Sequence, residues 1–285
     1  MKQIASRDNP TFKALRALAE DAREQRRQGR TLLDGPHLVG AYLERIGLPE
    51  LLLVSEAGEG EPEVRALLKT KFQRRLMPAC GRYAGTKSQS GDDGARVLRL
   101  KDSLFRELSG VATPVGILAV ISIPEAPANP ITGSCVLLDG VQDAGNVGSI
   151  LRTAAAAGIR EIALGSGCAG AWTPRVLRAG QGAHFGLRIR EQADLAAITQ
   201  GWRGISVASV ARGGTPIYAL DLSGDVAWLF GNEGAGLSPA LAGAATARAE
   251  IPMAAGSESL NVAAAAAICL FEETRQKRMK EKHHA

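Results

Sequence analysis

No segment of the chain is both long and apolar enough to span a membrane. The longest candidate, LNVAAAAAICLF from Leu260, is twelve residues and runs straight into EETRQKRMKEK, which reads as a buried helix with a wet end. The first thirty residues are short of apolar side chains, so no secretory signal is expected. Cysteine is scarce: Cys80, Cys135, Cys168 and Cys269 lie far apart, mostly inside apolar segments, with no CxxC or CxH pairing. That pattern argues against a metal site and for free thiols in a reducing, cytoplasmic setting. His37 and His184 stand alone and His283 and His284 sit in the tail, so no catalytic dyad is visible. A GxGxxG fingerprint is missing, as is a GKS or GKT for a triphosphate loop, which argues against a nicotinamide oxidoreductase and an NTPase.

What is present fits a folded protein of two domains. The 285 residues are 45% hydrophobic and 22% charged, about twice the length of a typical domain. The segment SIPEAPANPITGS, residues 122–134 with Pro124, Pro127 and Pro130, separates two patterned regions and reads as a linker. Before it, residues 1–121 read as a small α/β domain. SRDNPTFKALRALAEDAREQRR is a capped helix, TLLDG, PELLLVSE, RRLMPAC, ARVLRL and VGILAVISI are strands, and PHLVGAYLERI and PEVRALLKTKF are helices. After it, residues 135–285 alternate more clearly: SCVLLDG, a helix from Asn146 to Gly158, EIALGS, a helix through PRVLRAG, LRIR, a helix at LAAITQ, then ISVASV, VAWLFG and AEIPM. Strands with continuous apolar cores between helices predict a parallel sheet covered on both faces, with any ligand beyond the strands' carboxyl ends.

The net charge of +5 is modest, but residues 1–30 carry Lys2, Arg7, Lys13, Arg16, Arg23, Arg26, Arg27 and Arg30 against Asp8, Glu20, Asp21 and Glu24. Such a surface suits a polyanion, or is an ordinary solvated helix face. Arg175, Arg178, Arg188 and Arg190 form a second run with no acid between them.

Three loops carry the candidate chemistry. In LLDGVQDAGNVGSILRTAAAAG (137–158), Asn146 stands at a plausible helix start and Arg152 follows six residues on; the plain alternatives are an N-cap and a surface arginine. LFGNEGAGLS (229–238) gathers glycines around one carboxylate, Glu233, where backbone can approach a ligand or simply turn. IPMAAGSESLNVAAAAA (251–267) leaves a strand and enters an alanine-rich helix through Ser259 and Asn261.

Together, NVGSILR, FGNEGAGLS and IPM followed by ESLNVA resemble, in kind, order and separation, the three motifs of the SpoU, or TrmH-like, RNA ribose methyltransferases. TPRVLRAGQGAHF and TPVGILAVI resemble supporting segments of that family, and SRDNP with the basic helix and LLDGPHLV is similar to the ribosomal-protein-like RNA-binding domain often fused to it. The resemblance implies a parallel α/β domain with a deep trefoil knot of the SPOUT type, S-adenosylmethionine as cofactor, a homodimer packed through the knot, and methyl transfer to a ribose 2′-hydroxyl of RNA, rRNA more than tRNA. It places Gly231, Ile251, Met253 and Leu260 around the methyl donor, and Asn146, Arg152, Glu233, Ser259 and Asn261 at catalytic and substrate-holding positions. Because a guanidinium keeps its proton near neutral pH, Arg152 is expected to clamp a phosphate and stabilise charge on the 2′-oxygen, with Glu233 bracing the loops or Arg152. Two positions depart from the family pattern: Ala255 stands where glycine is usual, with Gly256 next, and Ala263 where serine is usual. They are the support for an alternative reading, a catalytically inactive RNA-binding protein of the same fold.

Overall fold

The computed structural model describes residues 2–74 and 96–284; the expected strand RRLMPAC lies outside them except for its first residue, Arg74, which ends a helix, and Cys80 lies outside them too. The chain divides into two compact units: Met1–Pro124 with Trp172–Phe185, and Glu125–Ala171 with Gly186–Ala285. The stretch Trp172–Phe185, which follows the second unit's early strands in sequence, therefore belongs to the first.

The first unit is built on a five-stranded mixed sheet. Its strands are β1 (Lys2–Ile4), β2 (Arg30–Asp34), β3 (Leu51–Ser55), β4 (Arg96–Leu100) and β5 (Ile117–Ser122), in the order β1-β4-β3-β5-β2. β1, β4 and β3 run parallel, while β5 is antiparallel to both β3 and β2. Helix α1 (Pro10–Glu20) starts on Asn9, whose side chain accepts from the N–H groups of Thr11 and Phe12, with Pro10 inside the first turn. Its apolar stripe, Phe12, Leu15 and Leu18, is buried with Leu32, Leu53 and Leu118. The single helix expected over this region is two. The chain leaves helical geometry at Asp21 (φ −118°, ψ 110°), whose carboxylate caps α2 (Ala22–Gln28) by accepting from Arg23 N at 2.7 Å. Helices α3 (Pro36–Arg45), α4 (Pro62–Arg74) and α5 (Asp102–Leu108) complete the layer structure, together with α7 (Pro174–Gly180) from the inserted stretch.

The second unit is a seven-stranded sheet in the order β10-β12-β9-β11-β6-β7-β8, parallel throughout. Its strands are β6 (Cys135–Asp139), β7 (Glu161–Leu164), β8 (Arg188–Arg190), β9 (Ile205–Val210), β10 (Thr215–Pro216), β11 (Val226–Gly231) and β12 (Ala247–Glu250). β11 is buried along its whole length, as a central parallel strand sheathed on both faces must be. One face packs Cys135, Leu137, Ala227 and Leu229 against Leu195 of α8 (Leu195–Gln200) and Leu241 of α9 (Pro239–Ala244). The other is covered by α6 (Ala144–Ala156) and α10 (Val262–His284), which pack on each other. There the fully buried Trp228 donates its indole N–H to Glu273 at 2.6 Å, and Glu273 also takes Lys277 at 2.8 Å, so the carboxylate beneath the sheet is paired. β12 begins and ends earlier than the expected AEIPM, because Pro252 has no N–H to continue the ladder.

Candidate active site at the carboxyl edge of the parallel sheet

The loop after β6 turns at Gly140, whose φ of +65° favours glycine, and enters α6 through Asp143. Asp143, and not Asn146, is the N-cap: its carboxylate accepts from the Asn146 N–H at 2.8 Å. That corrects the expected helix start by two residues, and it releases the Asn146 side chain from capping. The Asn146 amide instead bridges two other loops. Its Nδ2 donates to Glu233 Oε1 at 2.9 Å, and its Oδ1 accepts from Asn261 Nδ2 at 2.9 Å. These two bonds fix the amide's orientation and leave one Nδ2 hydrogen for another partner.

Glu233 sits in a turn that needs glycine at 231, for space, and at 236, for its φ of +71°. Asn232 and Gly236 exchange two main-chain hydrogen bonds of 2.9 Å, and a Cβ on Gly231 would lie 2.2 Å from the Gly236 carbonyl carbon and the Leu237 nitrogen. The Glu233 carboxylate accepts from the main-chain N–H groups of Gln142 and Asp143 at 3.4 and 3.3 Å, in addition to Asn146. Desolvation raises its pKa, but the hydrogen bonds from Asn146 and the main chain outweigh it, so the net shift is downward and the carboxylate stays ionised. Glu233 thus braces the β6–α6 loop; Arg152 is exposed on α6 and pairs with none of the described residues.

The third loop turns at Ala254–Ser257, where Ser257 N donates to Ala254 O at 3.3 Å with Gly256 at φ +92°. The left-handed backbone falls on Gly256, so the alanine at 255 costs the turn nothing. Asn261 Oδ1 then accepts from Ala263 N at 2.9 Å and Ala264 N at 3.3 Å, capping α10 while its Nδ2 holds Asn146. Ser259 is exposed on this loop.

A cavity of about 520 Å³ opens between these turns. Gly231, Ile251, Met253 and Leu260 line it, as do Glu233, Ser259 and Asn261, whereas Asn146 reaches it through its two bonded neighbours and Arg152 is not on its wall. Sequence reasoning missed two contributions. Ser209, Val210 and Ala211, at the carboxyl end of β9, form part of the wall, and Asn232 lines it beside Glu233. The rule that ligands sit beyond parallel strands applied to β9 as much as to its neighbours.

The expected basic surfaces are partly neutralised by acids distant in sequence. Arg188 and Arg190 both pair with the buried Glu161, and Arg178 lies 3.7 Å from Asp34, leaving Arg175 exposed without a partner among the described residues. In the N-terminal region Arg7, Lys13, Arg16, Arg27 and Arg30 each pair with a carboxylate, and Lys2, Arg23 and Arg26 do not among the described residues. No group of three or more His, Cys, Asp or Glu among the described residues could hold a metal ion.

Fold and cavity together define an α/β protein with a small-molecule site built from main-chain turns at the carboxyl edge of a parallel sheet. Residues 133–271 match the model of the SpoU rRNA methylase family. Over 277 residues, 95% of this chain and 98% of the relative, the sequence is 31% identical to the 23S rRNA (guanosine(2553)-2′-O)-methyltransferase RlmP of Bacillus subtilis. An AdoMet-bound rRNA methyltransferase from Sinorhizobium meliloti superposes with a TM-score of 0.77 at 28% identity, covering 96% of this chain and 97% of its own. An RNA 2′-O ribose methyltransferase structure gives a TM-score of 0.77 at 25% identity, over 97% of this chain and 99% of that one. The chain belongs to the SpoU rRNA methylase family.

Proposed function

We propose that the protein is an S-adenosylmethionine-dependent methyltransferase acting on a ribose 2′-hydroxyl of structured RNA, rRNA rather than tRNA. The observation that carries this reading is the meeting of three distant loops: a cavity walled by Gly231, Ile251, Met253 and Leu260 borders a hydrogen-bonded chain of Glu233, Asn146 and Asn261. The relatives whose names specify an rRNA support the choice of RNA.

The cavity suits the donor. Its volume lies within the roughly 300–1,000 Å³ of ligand pockets, and its wall is rich in main-chain groups able to read an adenine edge. Leu260, apolar yet 40% exposed, stands at this wall with Ile251, the kind of surface that covers a flat base. When bound, S-adenosylmethionine supplies an electrophilic methyl group on a sulfonium. The residues of this chain must then align the acceptor oxygen and stabilise its charge. The spare Nδ2 hydrogen of Asn146 donates to a ribose oxygen. Arg152, charged and without a partner among the described residues, grips the nucleotide's phosphate and offsets negative charge on the 2′-oxygen as its proton passes to solvent water. Ser259 and Asn261 hold the same sugar or phosphate, and Glu233, ionised and accepting from three donors, keeps Asn146 in place.

In the same reading the N-terminal unit holds RNA through its unpaired cations, and the passage from β12 into α10 threads the trefoil knot. Two copies pair through α10, where Phe271 and Met279 are 49% and 48% exposed on one helix. The three cysteines among the described residues are free, which suits a cytoplasmic setting. Calorimetry with S-adenosylmethionine, followed by transfer of a labelled methyl group to rRNA from cells lacking the gene, tests the proposal. Donor binding with label on a ribose is expected; no donor binding at millimolar concentration sinks it, and RNA binding without transfer leaves the inactive alternative.

A further inference from the structure

Asn232 makes more directed hydrogen bonds than any role above requires. Its Nδ2 donates to the Gly140 carbonyl at 2.8 Å, across to the loop that leads into α6. Its Oδ1 accepts from the N–H groups of Gly234 and Ala235 at 2.9 and 3.0 Å, and its main chain closes the turn with Gly236. The next residue, Glu233, ties to the same loop in the opposite sense, accepting from Gln142 and Asp143. Two adjacent side chains thus staple one turn to one loop, the first donating and the second accepting. Loss of the Asn232 tie leaves Glu233 held to the loop's main chain only by bonds of 3.3 and 3.4 Å, long for a charged acceptor, beside its 2.9 Å bond from the Asn146 amide.

We propose that Asn232 is a positioning residue for methyl transfer: its Gly140 bond sets the Glu233 carboxylate, which in turn sets the Asn146 amide and Asn261. The inference rests on the methyltransferase reading above. Its effect falls mainly on the acceptor side of the site, since the Gly140 bond leads through Glu233 to Asn146, and a smaller effect falls on the donor cavity, whose wall Asn232 shares.

Asn232→Asp separates positioning from turn formation. The variant keeps an oxygen for Gly234 and Ala235 but places a second acceptor against the Gly140 carbonyl. The expected result is a protein with a near-native thermal midpoint and kcat lowered by about 10²-fold, the order that a misplacement of about 1 Å costs, with a smaller change in S-adenosylmethionine affinity. Part of that loss should return as pH falls and the introduced carboxyl, once protonated, donates to Gly140 again; the wild-type profile shows no such gain. Asn232→Ser, which retains an acceptor but is too short to reach Gly140, should lose kcat without the pH recovery. Wild-type kcat and pH profile in both variants would overturn the proposal. So would a pH-independent loss of kcat and donor affinity together with a lowered midpoint, the mark of a merely structural residue. Wild-type transfer in the same assay distinguishes the two levels: if it is absent, the methyltransferase reading fails and takes this inference with it.

Discussion

Asn146 and Asn261 stand 115 positions apart and are joined by a side-chain hydrogen bond of 2.9 Å. The bond ties the first turn of α6 to the N-cap of α10, and it fixes the orientation of one amide. With Oδ1 accepting from Asn261 and one Nδ2 hydrogen given to Glu233, Asn146 keeps one hydrogen and one lone pair for a ligand. Its partner is equally committed, because Asn261 Oδ1 caps α10.

Replacing Asn261 by Asp or Ala separates the cap from the tie. Asp retains the capping oxygen, so its thermal stability should stay near wild type, whereas Ala should lose about 0.5–2 kcal/mol. Both lose the donor to Asn146, and in Asp an acceptor faces an acceptor. Methyl transfer should therefore fall strongly in both variants while only Ala is destabilised. Full activity in Asn261→Asp would show that the tie does not matter.

Arg152 presents the opposite case, an exposed side chain with no partner to lose among the described residues. Arg152→Ala should change stability by no more than about 0.5 kcal/mol yet lower kcat by about 10²–10³, the usual effect of removing one preorganised charge donor. Arg152→Lys keeps the charge without the planar fork. If the lysine variant retains most of the rate across a pH series, charge alone suffices and the bidentate clamp is wrong.

The alternation that predicts a parallel sheet was legible because β6, β7 and β11 are nearly continuous apolar runs. β1 and β10, of three and two residues, are too short to carry any period, and α5 and α9, of seven and six, fall short of two turns. The break at Asp21 has neither glycine nor proline to announce it. Asp143 and Asn146 are both good caps three positions apart, and only the geometry of the loop chooses between them. The ion pairs that absorb Arg178, Arg188 and Arg190 come from Asp34 and Glu161, which no local pattern links to them. The three site loops could be quoted from sequence, but their convergence was an implication of the family resemblance, since hydrophobic period says nothing about which loops meet.

Burial pushes the thiols of Cys135 and Cys269 up to about 12, and it raises that of Cys168, which donates to the Leu138 carbonyl at 3.2 Å. A thiol in that state is a poor nucleophile at neutral pH. Iodoacetamide at pH 8 followed by peptide mass mapping should leave Cys135 and Cys269 unlabelled in the native protein and label both in denaturant. Native labelling of either would mean that the sheet or α10 opens on the timescale of the reaction.

The depressed pKa of Glu233 links the site to pH. Its folded value lies below the ordinary 4.5, so its ties contribute stability that is present above the unfolded value and lost as pH falls through the folded one. The thermal midpoints of wild type and Glu233→Gln should therefore differ most near neutrality and converge as pH drops below about 4. The group is exposed, so the difference is expected to be small at every pH. A gap that widens on acidification would contradict the direction of the shift.

RNA affinity should depend on which cations are already engaged. Arg27 is committed to Glu24, whose carboxyl is held down to about 2 by hydrogen bonds from Arg27 and Gln28, while Lys13 and Arg16 lie 3.3 and 4.0 Å from Asp8 and Glu20. Arg23 and Arg26 are exposed on α2 without such partners among the described residues. A cation that must leave a carboxylate to meet a phosphate gains less than one that is free, so Arg23 and Arg26 should contribute more to non-specific binding than their paired neighbours Lys13, Arg16 and Arg27. The double variant Arg23→Ala with Arg26→Ala should weaken RNA binding and reduce the slope of log affinity against log salt by roughly 1–2, about one for each phosphate that is no longer neutralised. Lys13→Ala with Arg16→Ala should change the slope less. Titrations of both double variants across a salt series test the ranking, and an unchanged slope in the Arg23 and Arg26 pair would move the RNA surface away from α2.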